Sequence, residues 1–289
     1  MIDILIQPLT YGFMQRGMIA AILVGLVCSV IGCYIVLRSM AFLGDALAHS
    51  ILPGVAVAYL LGVNLLAGAL TAAILVGIGI SFLSRRGHLK EDTAIGIIFS
   101  AALALGVALI SSIRSYAVDL SHILFGNLLG VSSTDLWLIG GLAVLVISAV
   151  LLLYRPFLVI TFDPVLATTM RLPAQLLRTI LLILMAMTVV ISLQTVGVAL
   201  VAAMLVTPAA TAYLLTRRLP AMMAVSAGLG AFAGLAGLYM SFYLNIASGS
   251  AIVLVATLLF LLAFVFAPRR GVLWRRLRIT KSNQKSEVS

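Results

Sequence analysis

Runs of about 20 apolar residues recur along almost the whole chain, and each is long enough to cross the hydrocarbon core of a bilayer as a helix. Inside lipid every backbone N–H and C=O must find its partner within the protein, so a helix that closes its own hydrogen bonds is the structure such a run can adopt. With 63% of 289 residues hydrophobic and 9% charged, a water-soluble domain would have nowhere to hide this surface. The expected fold class is all-α, a polytopic transmembrane helical bundle with 8 to 9 transmembrane helices and a short re-entrant or interfacial helix.

The spans are predicted at 17–37, 45–62, 64–83, 92–113, 135–154, 177–194, 197–215, 220–243 and 248–267. Segment 118–131 is too short to cross and is expected to lie at the outer face. Residues 1–268 form the transmembrane domain and 269–289 a basic tail. The first ten residues lack the basic start and cleavage site of a removable signal, so the first helix is expected to stay.

The net charge of +10 is informative through its placement. Under alternating topology all but Arg16 and Arg114 of the 18 basic residues share one side: Arg38, Arg85, Arg86, Lys90, Arg155, Arg171, Arg178, Arg217, Arg218 and the tail. That is the positive-inside pattern, which makes those segments and the C-terminus cytoplasmic and implies no nucleic acid. The basic tail is expected to form an amphiphilic stub and then a disordered stretch on the cytoplasmic surface, beside membrane lipid. Cys28 and Cys33 lie five residues apart on different helix faces. That spacing suits neither a disulfide nor a zinc pair, and both read as small hydrophobes.

One acid stands apart. Asp3, Glu91, Asp92, Asp119, Asp135, Asp163 and Glu287 fall in loops or at helix ends, whereas Asp45 opens the stretch Gly-Asp-Ala-Leu-Ala-His-Ser-Ile-Leu-Pro-Gly within apolar sequence. An acid at bilayer depth costs about 2.5–3.5 kcal/mol. His49, four residues on, shares its helix face. Pro53 has no N–H for the carbonyl of His49, so the helix is expected to kink or open there. A broken helix that lines a polar cavity is one way to present ligands at mid-membrane. The pair therefore reads either as a stop on a metal path or as a hydrogen-bonded pair that steadies the bundle. Two ligands are half a shell, since zinc takes four and manganese about six. A second copy of the chain near a symmetry axis would complete it.

Asp119 and His122, beside Asn127 in the outer segment, are a second candidate metal pair, or ordinary interfacial polar residues. His88, in a basic loop, reads as solvated. Among residues 161–173, Asp163 suits an N-cap, Pro164 a first helical position and Pro173 a stop. They predict a helix of about two turns, serving as a docking element or as a plain loop helix. Gly230 and Gly234, with small-xxx-small spacing, predict a close contact inside one subunit rather than a dimer seam. No phosphate-binding loop occurs, so any ATP must be handled by another chain.

These residues also resemble a known family. Leu43 to Ser50 followed by Leu52 to Ala56, the triplet Phe162-Asp163-Pro164, and Ser192 to Gly197 through Val206 to Ala210 are similar to the manganese/zinc/iron permeases of bacterial ABC importers, type II, over Phe13 to Pro268. The resemblance implies a plasma-membrane permease, homodimeric or paired with a related subunit, bound to a dimer of cytoplasmic ATP-binding subunits and fed by an extracytoplasmic metal-binding protein. It implies no enzyme activity in this chain and no permanently bound cofactor. The divalent metal, Mn, Zn or Fe, is cargo. Asp45 and His49 would line the path, with Pro53 and Pro208 as helix breaks. Phe162, Asp163, Pro164, Ala167 and Arg171 would couple to the ATPase through a helix at about 163–171. Where the family usually has glycine before Leu-Pro, this chain has Arg171. The stretch Val118 to Asn127 is closer to the manganese branch than to the zinc branch. The competing readings are an ion-coupled secondary transporter, with Asp45 carrying protons, and an intramembrane metalloenzyme, which the absence of His-Glu-x-x-His disfavours.

Overall fold

The computed structural model describes residues 7–86, 90–112 and 130–267. Asp119, His122, His88 and the tail from 268 lie outside them, as does most of segment 118–131. After a short 3-10 turn come α1 (Gly12–Leu37), α2 (Phe42–Ser50), α3 (Leu52–Leu60), α4 (Leu65–Arg86), α5 (Glu91–Ser111) and α6 (Ser133–Leu152). These are followed by α7 (Tyr154–Phe162), α8 (Pro164–Thr169), α9 (Ala174–Val196), α10 (Val198–Leu215), α11 (Leu219–Leu244) and α12 (Ser248–Phe266).

Among the described residues eight segments are long and apolar enough to cross a membrane, with α2 and α3 together counting as one, Phe42–Leu60. The remaining expected span, 197–215, falls on α10, whose apolar stretch is Val201–Leu215. Helix starts follow local chemistry. Asn64 Oδ1 accepts from the Leu66 N–H at 2.8 Å, and Ser132 and Asp135 cap one another ahead of α6.

The centre of the bundle is α1, which packs against α6, α9, α10 and α11. Its approach to α11 is so close that glycine is required. A Cβ on Gly25 would stand 2.5 Å from the Gly230 carbonyl oxygen, and one on Gly234 2.9 Å from that of Ala21. Packing of backbone against backbone supplies the van der Waals contact that association in lipid depends on, because apolar side chains gain little from leaving lipid for protein. The glycine spacing thus serves a contact within one subunit, as expected. The Ser226 hydroxyl donates to the Ser29 carbonyl at 3.1 Å across the same seam. Cys28 and Cys33 are buried and free, with Cys28 Sγ 2.8 Å from Ser192 Oγ on α9.

Between the predicted spans 135–154 and 177–194, where one short helix is expected, the chain carries two, α7 and α8. Leu153 alone separates α6 from α7. Phe157 of α7 is fully buried and meets the Tyr34 ring edge-on at 5.9 Å, which holds α7 to the end of α1. At the same end of the bundle, Glu91 is bonded by Arg38 Nη2 at 3.1 Å and by Arg178 Nε at 2.7 Å. Burial pulls the Arg38 guanidinium below the ordinary arginine range. Glu91 draws it back up, and Arg178 pushes it further down.

Candidate functional site

The segment carrying Asp45 is a nine-residue helix, α2, interrupted at Ile51 before α3 resumes with Pro53 as its second residue. The break falls where proline deprives the preceding turn of a donor. Pro208 behaves differently: α10 runs through it unbroken. Losing one bond to the residue four back is tolerated when neighbouring helices hold both arms in place. α2 lies against α5, α9 and α10, pressed so close to α10 that a Cβ on Gly44 would meet Leu205 Cδ1 at 3.0 Å.

Nearly all of α2 is buried. The exceptions are Phe42, Asp45 and His49, which follow one another at helical spacing and form a single open stripe. His49 Nε2 is 3.7 Å from Asp45 Oδ1, and the two side chains are 29% and 42% exposed. The separation exceeds that of a direct hydrogen bond. Two donors each about 2.0–2.2 Å from a common ion stand about 3–4 Å apart, so the pair is spaced as two ligands of one metal. His49 also faces the Phe99 ring of α5 at 6.2 Å. Phe99 went unremarked in the sequence, where it is one apolar residue among many. Among the described residues no group of three or more His, Cys, Asp or Glu side chains converges. The described residues of one copy thus bring one carboxylate and one imidazole to this point.

The second element is α8. Asp163 Oδ1 accepts from the N–H groups of Val165 at 3.0 Å and Leu166 at 2.9 Å, making it the N-cap, and Pro164 is the first helical residue. The helix is shorter than the predicted two turns. It stops at Thr169, and Arg171 follows with φ of +54°. The exposed apolar residues Phe162, Val165 (73%), Leu166 and Met170 cluster on and beside these six residues. Ala167, expected to face the ATPase, is instead fully buried against the bundle. A helix this short has one inward face, and the smallest apolar side chain occupies it. The outward contacts pass to the four larger residues.

A sequence model described as ABC 3 transport family matches residues 10–267. The manganese transport system membrane protein MntC of Halalkalibacterium halodurans is 48% identical over 283 residues, covering 98% of this chain and 97% of that one. The manganese import system permease protein ScaB of Streptococcus parasanguinis is 45% identical over 260 residues, 90% of this chain and 92% of that one. Among solved structures, a chain of PsaBC from Streptococcus pneumoniae in complex with Fab superposes with a TM-score of 0.84 at 38% identity, covering 97% of this chain and all of that one.

Proposed function

This chain belongs to the ABC 3 transport family and is the membrane permease of a metal importer, and from that premise we propose that its cargo is manganese, carried past Asp45 and His49 by alternating access. The observation that carries the reading is the half-open Asp45–His49 pair with its donors 3.7 Å apart. An acid and an imidazole left part-exposed within apolar sequence belong beside a polar path or a protein partner, because lipid would penalise them. One oxygen and one nitrogen from each of two copies give a mixed shell suited to a first-row divalent ion. Two copies related by a twofold axis near α2 supply it. One exposed stripe of α5 carries Gly96, Ser100, Ala104 and Ala108, with the larger Ile97, Leu105 and Val107 exposed beside it, and its small residues suit such an approach. Holding must be transient, since a site that binds too tightly does not conduct.

The energy enters from outside the chain. The capped helix Pro164–Thr169, with its exposed Phe162, Val165, Leu166 and Met170, is suited to a groove on a cytoplasmic ATP-binding subunit. An extracytoplasmic metal-binding protein would deliver the ion at the opposite face, near Asp119 and His122, and the C-terminal tail would lie in the cytoplasm. The test is radioactive manganese uptake by the whole transporter at matched membrane levels, comparing wild type with Asp45→Asn and His49→Ala. Collapse of uptake in an assembled complex is the expected result. Persistent uptake would make the pair structural, and uptake independent of ATP would favour the ion-coupled alternative.

A further inference from the structure

We propose that Glu91 is the joint through which movement of the 164–169 helix reaches the Asp45–His49 site, an inference that rests on the reading of α8 as the ATPase-docking element.

Three helix ends meet at this carboxylate. Arg178 lies in the second turn of α9, the helix that begins directly after α8 and Pro173, and its Nε donates to Glu91 Oε1 at 2.7 Å. Arg38 is the C-cap of α1, and its Nη2 donates to Glu91 Oε2 at 3.1 Å. Glu91 itself is the first residue of α5. Each carboxylate oxygen thus holds a different helix, so α9 cannot shift along its axis without pulling on both α5 and α1. From Glu91 two short routes lead to the metal pair. Along α5, two turns bring Phe99 against the His49 ring. Along α1, Arg38 leads through Ser39, whose φ of +57° makes the sharp reversal, directly into α2.

The joint is built to transmit rather than to slip. The Arg38 and Glu91 side chains are 12% and 13% exposed, so water does little to screen or replace their bond. Arg38 Nη1 is buried with no partner among the described residues, which leaves Glu91 as the anion that holds this arginine in place. Beside it the same end of α9 has an ordinary tie. Gln175 Nε2 donates to the Ser81 carbonyl at 3.2 Å, and Thr179 bonds the Ser81 hydroxyl, so this tie fastens α9 to α4 and does not involve α5. Glu91 is a positioning residue, since its carboxylate acts on the other helices and not on the cargo.

The experiment uses the full importer, this chain with its ATP-binding and metal-binding partners, purified and placed in liposomes, with manganese uptake and ATP hydrolysis read in the same vesicles. Glu91→Gln and Arg178→Gln are expected to lower manganese moved per ATP by about tenfold while hydrolysis continues. Ser81→Ala, which loosens the same end of α9 without touching α5, is expected to leave the ratio at the wild-type value. A merely structural role would reduce the amount of assembled complex and leave the ratio alone. Should Glu91→Gln fail to assemble, Arg178→Gln decides, because it keeps the Arg38–Glu91 pair intact. An unchanged ratio in Arg178→Gln, or an equal fall in Ser81→Ala, overturns the joint alone. Wild-type uptake without hydrolysis overturns the docking reading and the joint with it.

Discussion

Among the described residues, the Glu91 cluster and the Asp45–His49 pair are built in opposite ways. Around Glu91 the partners are close, at 2.7 and 3.1 Å, and the Arg38–Glu91 contact is almost sealed from solvent. At Asp45 and His49 the partners stand 3.7 Å apart, part-exposed and short of a hydrogen bond. Charges in a low-dielectric setting are stabilised by satisfying one another, which the first cluster does and the second does not. The first cluster is committed to the protein, whereas the second keeps its donors available for something else. Substitutions should therefore separate the clusters: the closed one should lose stability together with coupling, the open one should lose transport while stability is kept.

The largest effect is expected at the closed cluster. Glu91→Ala leaves two arginines facing each other without an anion, one of them buried, and should destabilise the fold by about 3–5 kcal/mol. Thermal unfolding in detergent would report it, and a melting temperature like that of the wild type would erase the contrast. Next comes Asp45→Asn, which should leave unfolding nearly untouched yet reduce manganese uptake by about a hundredfold, at or beyond the upper end of what disturbing a metal ligand's support does. If Asp45→Asn instead melted as early as Glu91→Ala, both clusters would be holding the fold and the contrast would fail.

A third prediction concerns the apolar seam between α11 and α1, the helix that ends at Arg38. A Cβ on Gly230 would collide with the Ser29 hydroxyl and with the Gly25 carbonyl, and although the hydroxyl could turn away the backbone carbonyl could not. Gly230→Ala should cost about 1–3 kcal/mol by forcing α1 and α11 apart. Gly228→Ala, on the same helix with nothing within 4 Å of its Cβ, should be neutral or slightly stabilising. Unfolding of the two variants side by side checks the difference, and equal melting would mean that the seam can widen freely.

Much of this was legible in the sequence because the chemistry is local. Asp45 and His49 are four residues apart, Pro53 acts on His49, and Asp163 caps the helix that Pro164 begins. Spacing alone is enough to read such features. The Glu91 cluster draws on positions 38, 91 and 178, and no local pattern links them. The one available hint is that all three sit at span ends on the side marked by positive charge. α7 was hidden for another reason: Arg155 and Pro156 look like loop residues, yet both fit a first helical turn, where proline loses no bond. Ala167 was grouped with the ATPase-coupling residues by resemblance, and its burial follows from how few faces a six-residue helix has.

The smallest expected effect tests whether a charge outside both clusters matters at all. Arg171 is exposed and stands just past α8 with φ of +54°, in the left-handed region that disfavours any side chain with a Cβ. The resemblance to metal permeases places glycine at this position, and the structure supplies a reason: the turn from α8 into Leu172-Pro173 needs that backbone conformation. Arg171→Gly removes the steric penalty but adds freedom to the unfolded chain, so the net gain should be about 1 kcal/mol or less. Arg171→Ala removes the charge while keeping the Cβ. If unfolding shows Gly more stable than Ala, backbone strain is what distinguishes the position. If both match the wild type in stability but alter ATP-driven uptake alike, the guanidinium is a docking contact and a third polar element joins the comparison.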